Sequence, residues 1–127
     1  MTTQSALDTS TRETHSLIGS DKVEGTAVYR SNGEKIGRIE RVMIDKLNGK
    51  VAYAVMSFGG FMGIGEDYFP LPWPLLAYNP RLEGYEVNIS VQQLKGAPKY
   101  SAHETWDWVR RGKSIDDYYN VPPYWGM

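Results

Sequence analysis

Eight consecutive residues, Val51–Phe58 with the sequence VAYAVMSF, are apolar at almost every position. A strand that meets water on one face alternates apolar and polar side chains, so this run reads as a strand covered on both faces, or as one that closes a barrel. It is expected at the centre of the core. Its neighbours share its cadence. TAVYR runs into SNGE, where Asn32-Gly33 offers the positive φ angles of a tight hairpin turn. KIGRIERVMID follows, with Ile36, Ile39, Val42 and Ile44 as its apolar positions, and Asn48-Gly49 supplies a second such turn. DYFPLPW carries two prolines that cannot donate to a ladder, which places it at an edge or a strand end, and YEVNIS alternates and finishes the sheet. Strands so evenly spaced, with tight turns and no helix between them, predict a mainly β fold: a small antiparallel barrel or strongly bent sheet of about six strands over residues 23–89.

With 127 residues and no cysteine the chain is expected to hold one domain without disulfides or thiolate chemistry. Fourteen basic against fifteen acidic residues give a net charge of −1, so neither nucleic acid nor an anionic membrane is favoured as a partner. Residues 1–16 contain eight Ser or Thr and no apolar run, and are expected to be a disordered leader rather than a secretory signal. The longest charge-free stretch, residues 51–65, is fifteen residues long, short of the roughly 18 needed for a spanning helix. A soluble, cytoplasmic protein without membrane insertion is the expectation.

The glycine-rich loop Gly59, Gly60, Gly63 and Gly65 has the spacing of a phosphate loop from Gly60 to Gly65, but Glu66 and Asp67 stand where Lys and Ser or Thr are required. Two carboxylates there repel a triphosphate. The dinucleotide pattern fails as well, because Tyr68 stands where its third glycine belongs. These glycines are expected to be structural, with no cofactor bound. HETWD, residues 103–107, resembles the H-E-x-x-H zinc helix but has Asp107 in place of the second imidazole, and the other histidine is His15 in the leader. No metal site is expected. Asp45, Glu66 and Asp67 could form an acid/base pair, but turn and loop roles suit them better. Ser57 lacks a nucleophile-elbow context and a histidine partner. No catalytic residue is expected, and Asn88-Ile89-Ser90 reads as a strand end rather than a glycosylation site.

Beyond residue 100 the sequence changes character. Ser101 with Glu104 reads as a capping box opening a helix over AHETWDWVRRG that stops at Gly112, with a second helical turn after Ser114. Arg110, Arg111 and Lys113 would then sit at the helix C-terminus, where cations suit the dipole. Seven of the sixteen aromatic residues fall in the last twenty-eight positions. Such a surplus predicts a self-association surface formed by Trp106, Trp108, Tyr118, Tyr119, Tyr124 and Trp125, making the chain a homodimer.

The segments GSDKVEGTAVYRSNGEKIGRIERVMID, NGKVAYAVMSFGGFMGIGEDYFPLPWPLL, YEVNIS and LKGAPKY, within residues 17–100, resemble the PRC-barrel family, named for the photosynthetic reaction centre H subunit and shared with the ribosome maturation factor RimM. The closing YYNVPPYW is similar to the tail of stand-alone bacterial members. The resemblance implies a six-stranded antiparallel barrel at 17–100 followed by a helical and aromatic tail at 101–127. It also implies a non-enzymatic docking module for a second copy or another cytoplasmic protein. Stand-alone members are often suspected of roles in stress adaptation, an implication of the resemblance alone. The alternative is a sensor or carrier holding a small ligand between the glycine loop and the aromatic tail.

Overall fold

The computed structural model describes residues 13–58, 67–101 and 104–122. The glycine loop, Glu66, His103, Tyr124 and Trp125 therefore lie outside the described residues. Seven strands form one sheet: β1 (Ala27–Arg30), β2 (Lys35–Ile44), β3 (Val51–Phe58), β4 (Asp67–Pro72), β5 (Ala77–Asn79), β6 (Gly84–Val87) and β7 (Tyr100–Ser101). Three helices accompany it: α1 (Ser20–Val23), α2 (Val91–Lys95) and α3 (Trp108–Tyr119).

The hairpins form where turn chemistry places them. Gly33 and Gly49 adopt φ of 90° and 76°, left-handed angles that favour glycine. The Asn32 side chain accepts from the Glu34 amide at 2.9 Å, and Asp45 accepts from the Leu47 and Asn48 amides at 2.8 and 3.1 Å. Asp45 thus serves the β2–β3 turn, as expected of it.

The strand order is β5-β6-β1-β2-β3-β4-β7, and β6 runs parallel to β1. The expectation of a closed, six-stranded, wholly antiparallel barrel is corrected on each count: the sheet has seven strands, is mixed, and is open among the described residues, where no pairing joins β5 to β7. The parallel pair arises because a 3-10 turn at Trp73–Leu75, with Pro74 in it, ends β4 and redirects the chain into the β5–β6 hairpin. That hairpin delivers β6 to the edge of β1 that β2 leaves free. Two short helices, α1 and α2, flank the run of six strands from β1 to β6. The prolines of β4 behave as anticipated: β7 pairs with β4 only at Asp67 and Tyr68, so Pro70 and Pro72 lie where that edge has no described partner.

Residues 52–57 of β3 are buried without interruption. By strand alternation Ala54 and Met56 point to the inner face, paired with Leu71 and Phe69 of β4 and with Val42 and Ile39 of β2, over the buried Val28 and Val87. Tyr53, Val55 and Ser57 point outward and are buried too, so something covers the outer face. Two glycines permit the close strand packing beneath. A Cβ on Gly37 would lie 2.3 Å from the Ser57 carbonyl oxygen, and one on Gly84 would lie 2.6 Å from that of Ala27.

At the N-terminal end, structure begins inside the expected leader. Glu13 forms a β-bridge with Ile18 and an ion pair with Lys22 at 2.9 Å. No helix among the described residues is long and apolar enough to cross a membrane.

Candidate docking groove on the outer face

The outer face of β3 and β4 is covered by the tail, and aromatic rings join the two. Tyr68 packs edge-on against Tyr100 with centroids 5.5 Å apart, and Tyr100 stacks on Trp106 at 4.8 Å. Trp106 meets Trp108 at 6.3 Å, and Trp108 meets Tyr53 of β3 at 5.4 Å. Two arginines lie over this row. The Arg41 guanidinium sits 5.8 Å above the Tyr68 ring and donates to the Tyr100 hydroxyl at 3.4 Å, and Arg111 sits 5.0 Å above Trp106. Such contacts add to the area that the rings bury.

Helix α3 starts later than the sequence pattern suggests and runs further. Asp107 caps it, accepting from the Val109 and Arg110 amides at 3.1 and 3.2 Å. Ser101 is not the cap. Its amide donates to the Glu104 side chain at 3.1 Å, so half of the capping box forms, but the chain from Glu104 to Asp107 is not helical. Gly112 is not a stop either, because the helix continues to Asn120, which closes it in the left-handed conformation at φ 56°. Arg110, Arg111 and Lys113 consequently fall in its first half. The dipole gives no reason for cations there, and Lys113 is satisfied instead by Asp117 one turn on, at 2.9 Å.

The buried face of α3 is Gly112, Ile115, Asp116 and Tyr119, spaced at helical intervals. Gly112 admits β3: the Tyr53 hydroxyl lies 3.3 Å from where its Cβ would be. That hydroxyl reaches the Gly112 carbonyl at 3.3 Å and donates to Asp116 Oδ1 at 3.0 Å. Beside this pair opens a groove of about 870 Å³, with Tyr53, Trp108, Val109, Lys113, Asp116 and Pro122 among its lining residues. A hollow of about 140 Å³ adjoins it, shares Tyr53 and Trp108, and reaches Met43 and Ile44.

Of the residues expected to form an interaction surface, Trp108 alone lines this groove among those described. Trp106 is half-buried in the aromatic row, and Tyr119 is buried against the core. The Trp106 indole nitrogen and the Tyr119 hydroxyl are enclosed without hydrogen-bond partners among the described residues. Burial pushes the Tyr119 phenol up. Tyr118 donates to the Gln93 carbonyl of α2, tying the two helices together. Sequence placed Tyr53 in the core and Gly112 at a helix stop, and singled out neither Val109 nor Asp116. Their signal is the stripe of Trp108, Gly112 and Asp116 at intervals of four, which appears only if the helix is read through Gly112.

The other sequence candidates are kept apart. Asp45 and Asp67 sit at opposite ends of β3, and Asp67 pairs with Lys99 at 3.7 Å. Ser57 is buried, its hydroxyl donating to the Arg38 carbonyl at 3.4 Å.

Burial holds the Asp116 carboxyl above its ordinary value of 3.8; the Tyr53 hydrogen bond opposes this, Asp117 adds to it and Lys113 counters it. A carboxyl raised in the folded state favours folding below its unfolded pKa, and that contribution is lost as pH climbs from 3.8 toward the folded value. Asp116→Asn keeps an acceptor for Tyr53 and removes the buried charge. Thermal unfolding should therefore show a higher Tm than the parent at neutral pH, with the gain vanishing in acid. A lower Tm at neutral pH would show that the ionised carboxylate is itself stabilising.

No curated protein matches the chain. A family model described as PRC-barrel domain matches residues 15–94, which span β1 to α2, the sheet that carries the groove's floor, and more than half of the 127 residues. The chain belongs to the PRC-barrel domain family.

Proposed function

We propose that this protein is a non-enzymatic docking module that works in the cytoplasm and meets a second copy of itself or another protein through the face where α3 crosses the outer side of the sheet. The observation that carries this reading is an apolar rim around a groove. Val109, 93% exposed on the first turn of α3, lines the groove, and Ile44, exposed at the end of β2, lines the adjoining hollow. Clustered exposed apolar side chains around a groove are a mark of interaction surfaces. Among the described residues, Trp106, Trp108 and Tyr119 of the tail pack on its own sheet and core, and the docking surface lies at Val109, Trp108 and Ile44. Two-fold pairing is the simplest arrangement for such a patch.

Sedimentation of the full chain and of Val109→Asp tests it. Val109 lies outside the core, so the variant should keep its fold and Tm. The parent should sediment as a dimer at tens of micromolar and the variant as a monomer. A monomeric parent removes self-association and leaves a different protein as the partner. Native mass spectrometry of the same samples would reveal the carrier reading instead, as an extra small mass that persists on the folded chain.

A further inference from the structure

Asp116 sits in the groove with an unusual balance of charge. It is 8% exposed, yet the side-chain hydrogen bond reaching its carboxylate among the described residues comes from the neutral Tyr53 hydroxyl at 3.0 Å. Lys113, the ammonium on the same wall, is engaged with Asp117 at 2.9 Å. The groove therefore holds two carboxylates against one cation, and the buried carboxylate has no ion-pair partner among the described residues. A buried charge left without a counter-ion is costly, and pairing it recovers part of that cost. The rings of Trp108 and Tyr53 stand beside it with centroids 5.4 Å apart. Aromatic walls next to a carboxylate attract an ammonium or guanidinium, through the ring quadrupole and through a charge-assisted hydrogen bond. A volume of about 870 Å³, open at the exposed Val109, admits a long side chain from solvent.

We propose that the groove is a receptor for a basic side chain, lysine or arginine, carried by the docking partner, whose cation pairs with Asp116 alongside Trp108 and Tyr53. The proposal rests on the docking reading only for the source of that cation. Charge complementarity selects the occupant: an acidic side chain would meet Asp116 and Asp117 with repulsion, and an apolar one would leave Asp116 uncompensated. The stem of a lysine or arginine would lie along Trp108 and Val109 while its head reaches the carboxylate.

The test is a ¹H–¹⁵N NMR titration of the full chain with butylguanidinium, run beside the uncharged isostere N-butylurea. Butylguanidinium should produce saturable millimolar shifts at the Trp108 indole N–H and at the Gly112 and Lys113 amides. N-butylurea should bind about tenfold more weakly or not at all, as expected if ion pairing supplies the discrimination. Asp116→Asn, which keeps the acceptor for Tyr53, should abolish the difference between the two compounds. Equal shifts with both compounds, or no saturable shift with butylguanidinium, would overturn the site without touching the docking reading. Self-association or partner binding left unchanged by Asp116→Asn would overturn the site's role in docking in the same way.

Discussion

Gly37→Val is expected to leave the chain largely unfolded at room temperature. A Cβ at this position would lie 2.3 Å from the Ser57 carbonyl oxygen and 2.9 Å from Met56 Cγ. The carbonyl belongs to β3 and cannot swing aside without disturbing a strand that is buried on both faces, and Met56 is itself fully buried. Overpacking that neighbours can absorb costs about 1–3 kcal/mol, and occasionally more. Here the obstacle is backbone and valine adds three carbons, so the penalty should take most of the ~5–15 kcal/mol that stabilises an ordinary domain. Gly33 provides the contrast. It has φ of 90°, and a Cβ at that position would have nothing within 4 Å, so alanine there meets only backbone strain, about 1–2 kcal/mol. Urea unfolding of Gly37→Ala and Gly33→Ala separates the two causes. If Gly37→Ala proved the milder change, the close approach of β2 to β3 would be wrong.

Ile115→Asp should have the second large effect. Ile115 is fully buried on the sheet-facing side of α3, and its neighbour Asp116 is already a buried carboxylate. A second carboxylate there would be enclosed in the apolar core cluster to which Ile115 belongs, and Lys113 is already engaged with Asp117. Uncompensated buried charges cost about 3–5 kcal/mol. At roughly 4 °C per kcal/mol for a domain of this size, the Tm should fall by about 10–20 °C. Tryptophan fluorescence should shift to the red as Trp106 and Trp108 lose their cover. A Tm within a degree or two of the parent would mean that α3 is not held by its apolar stripe.

Sequence revealed the features that rest on local chemistry. Turns at Gly33 and Gly49, the doubly buried β3 and the stretch at Pro70 and Pro72 that has no described partner on its β7 side each follow from residues a few positions apart. The parallel pairing of β1 with β6 does not, since it depends on where a hairpin some fifty residues downstream is delivered. Gly112 misled because glycine is a poor helix former and a common stop. Its role is to make room for the Tyr53 hydroxyl, a contact between residues 59 positions apart. Asp116 and Asp117 are chemically identical in the sequence, and only the rotation of α3 decides that one is buried and the other paired with Lys113. Of the demanding glycines among the described residues, Gly37 lies inside β2, where sequence shows no turn to explain it, and Gly84 opens β6 at the close of a hairpin turn.

The aromatic tail and α3 as the cover of the sheet's outer face, and hence as one wall of the docking groove, are tested most directly by thermal unfolding of a chain that ends at Ser101. Removing residues 102–127 would strip the cover from Tyr53, Val55 and Tyr100, all buried in the full chain. Losing the cover over three such side chains, at about 1.5–3 kcal/mol for each one fully exposed, predicts a chain that is unfolded or melts at least about 15 °C below the parent. A truncated chain that melts cooperatively at the parent's temperature would contradict the tail's place on its own sheet.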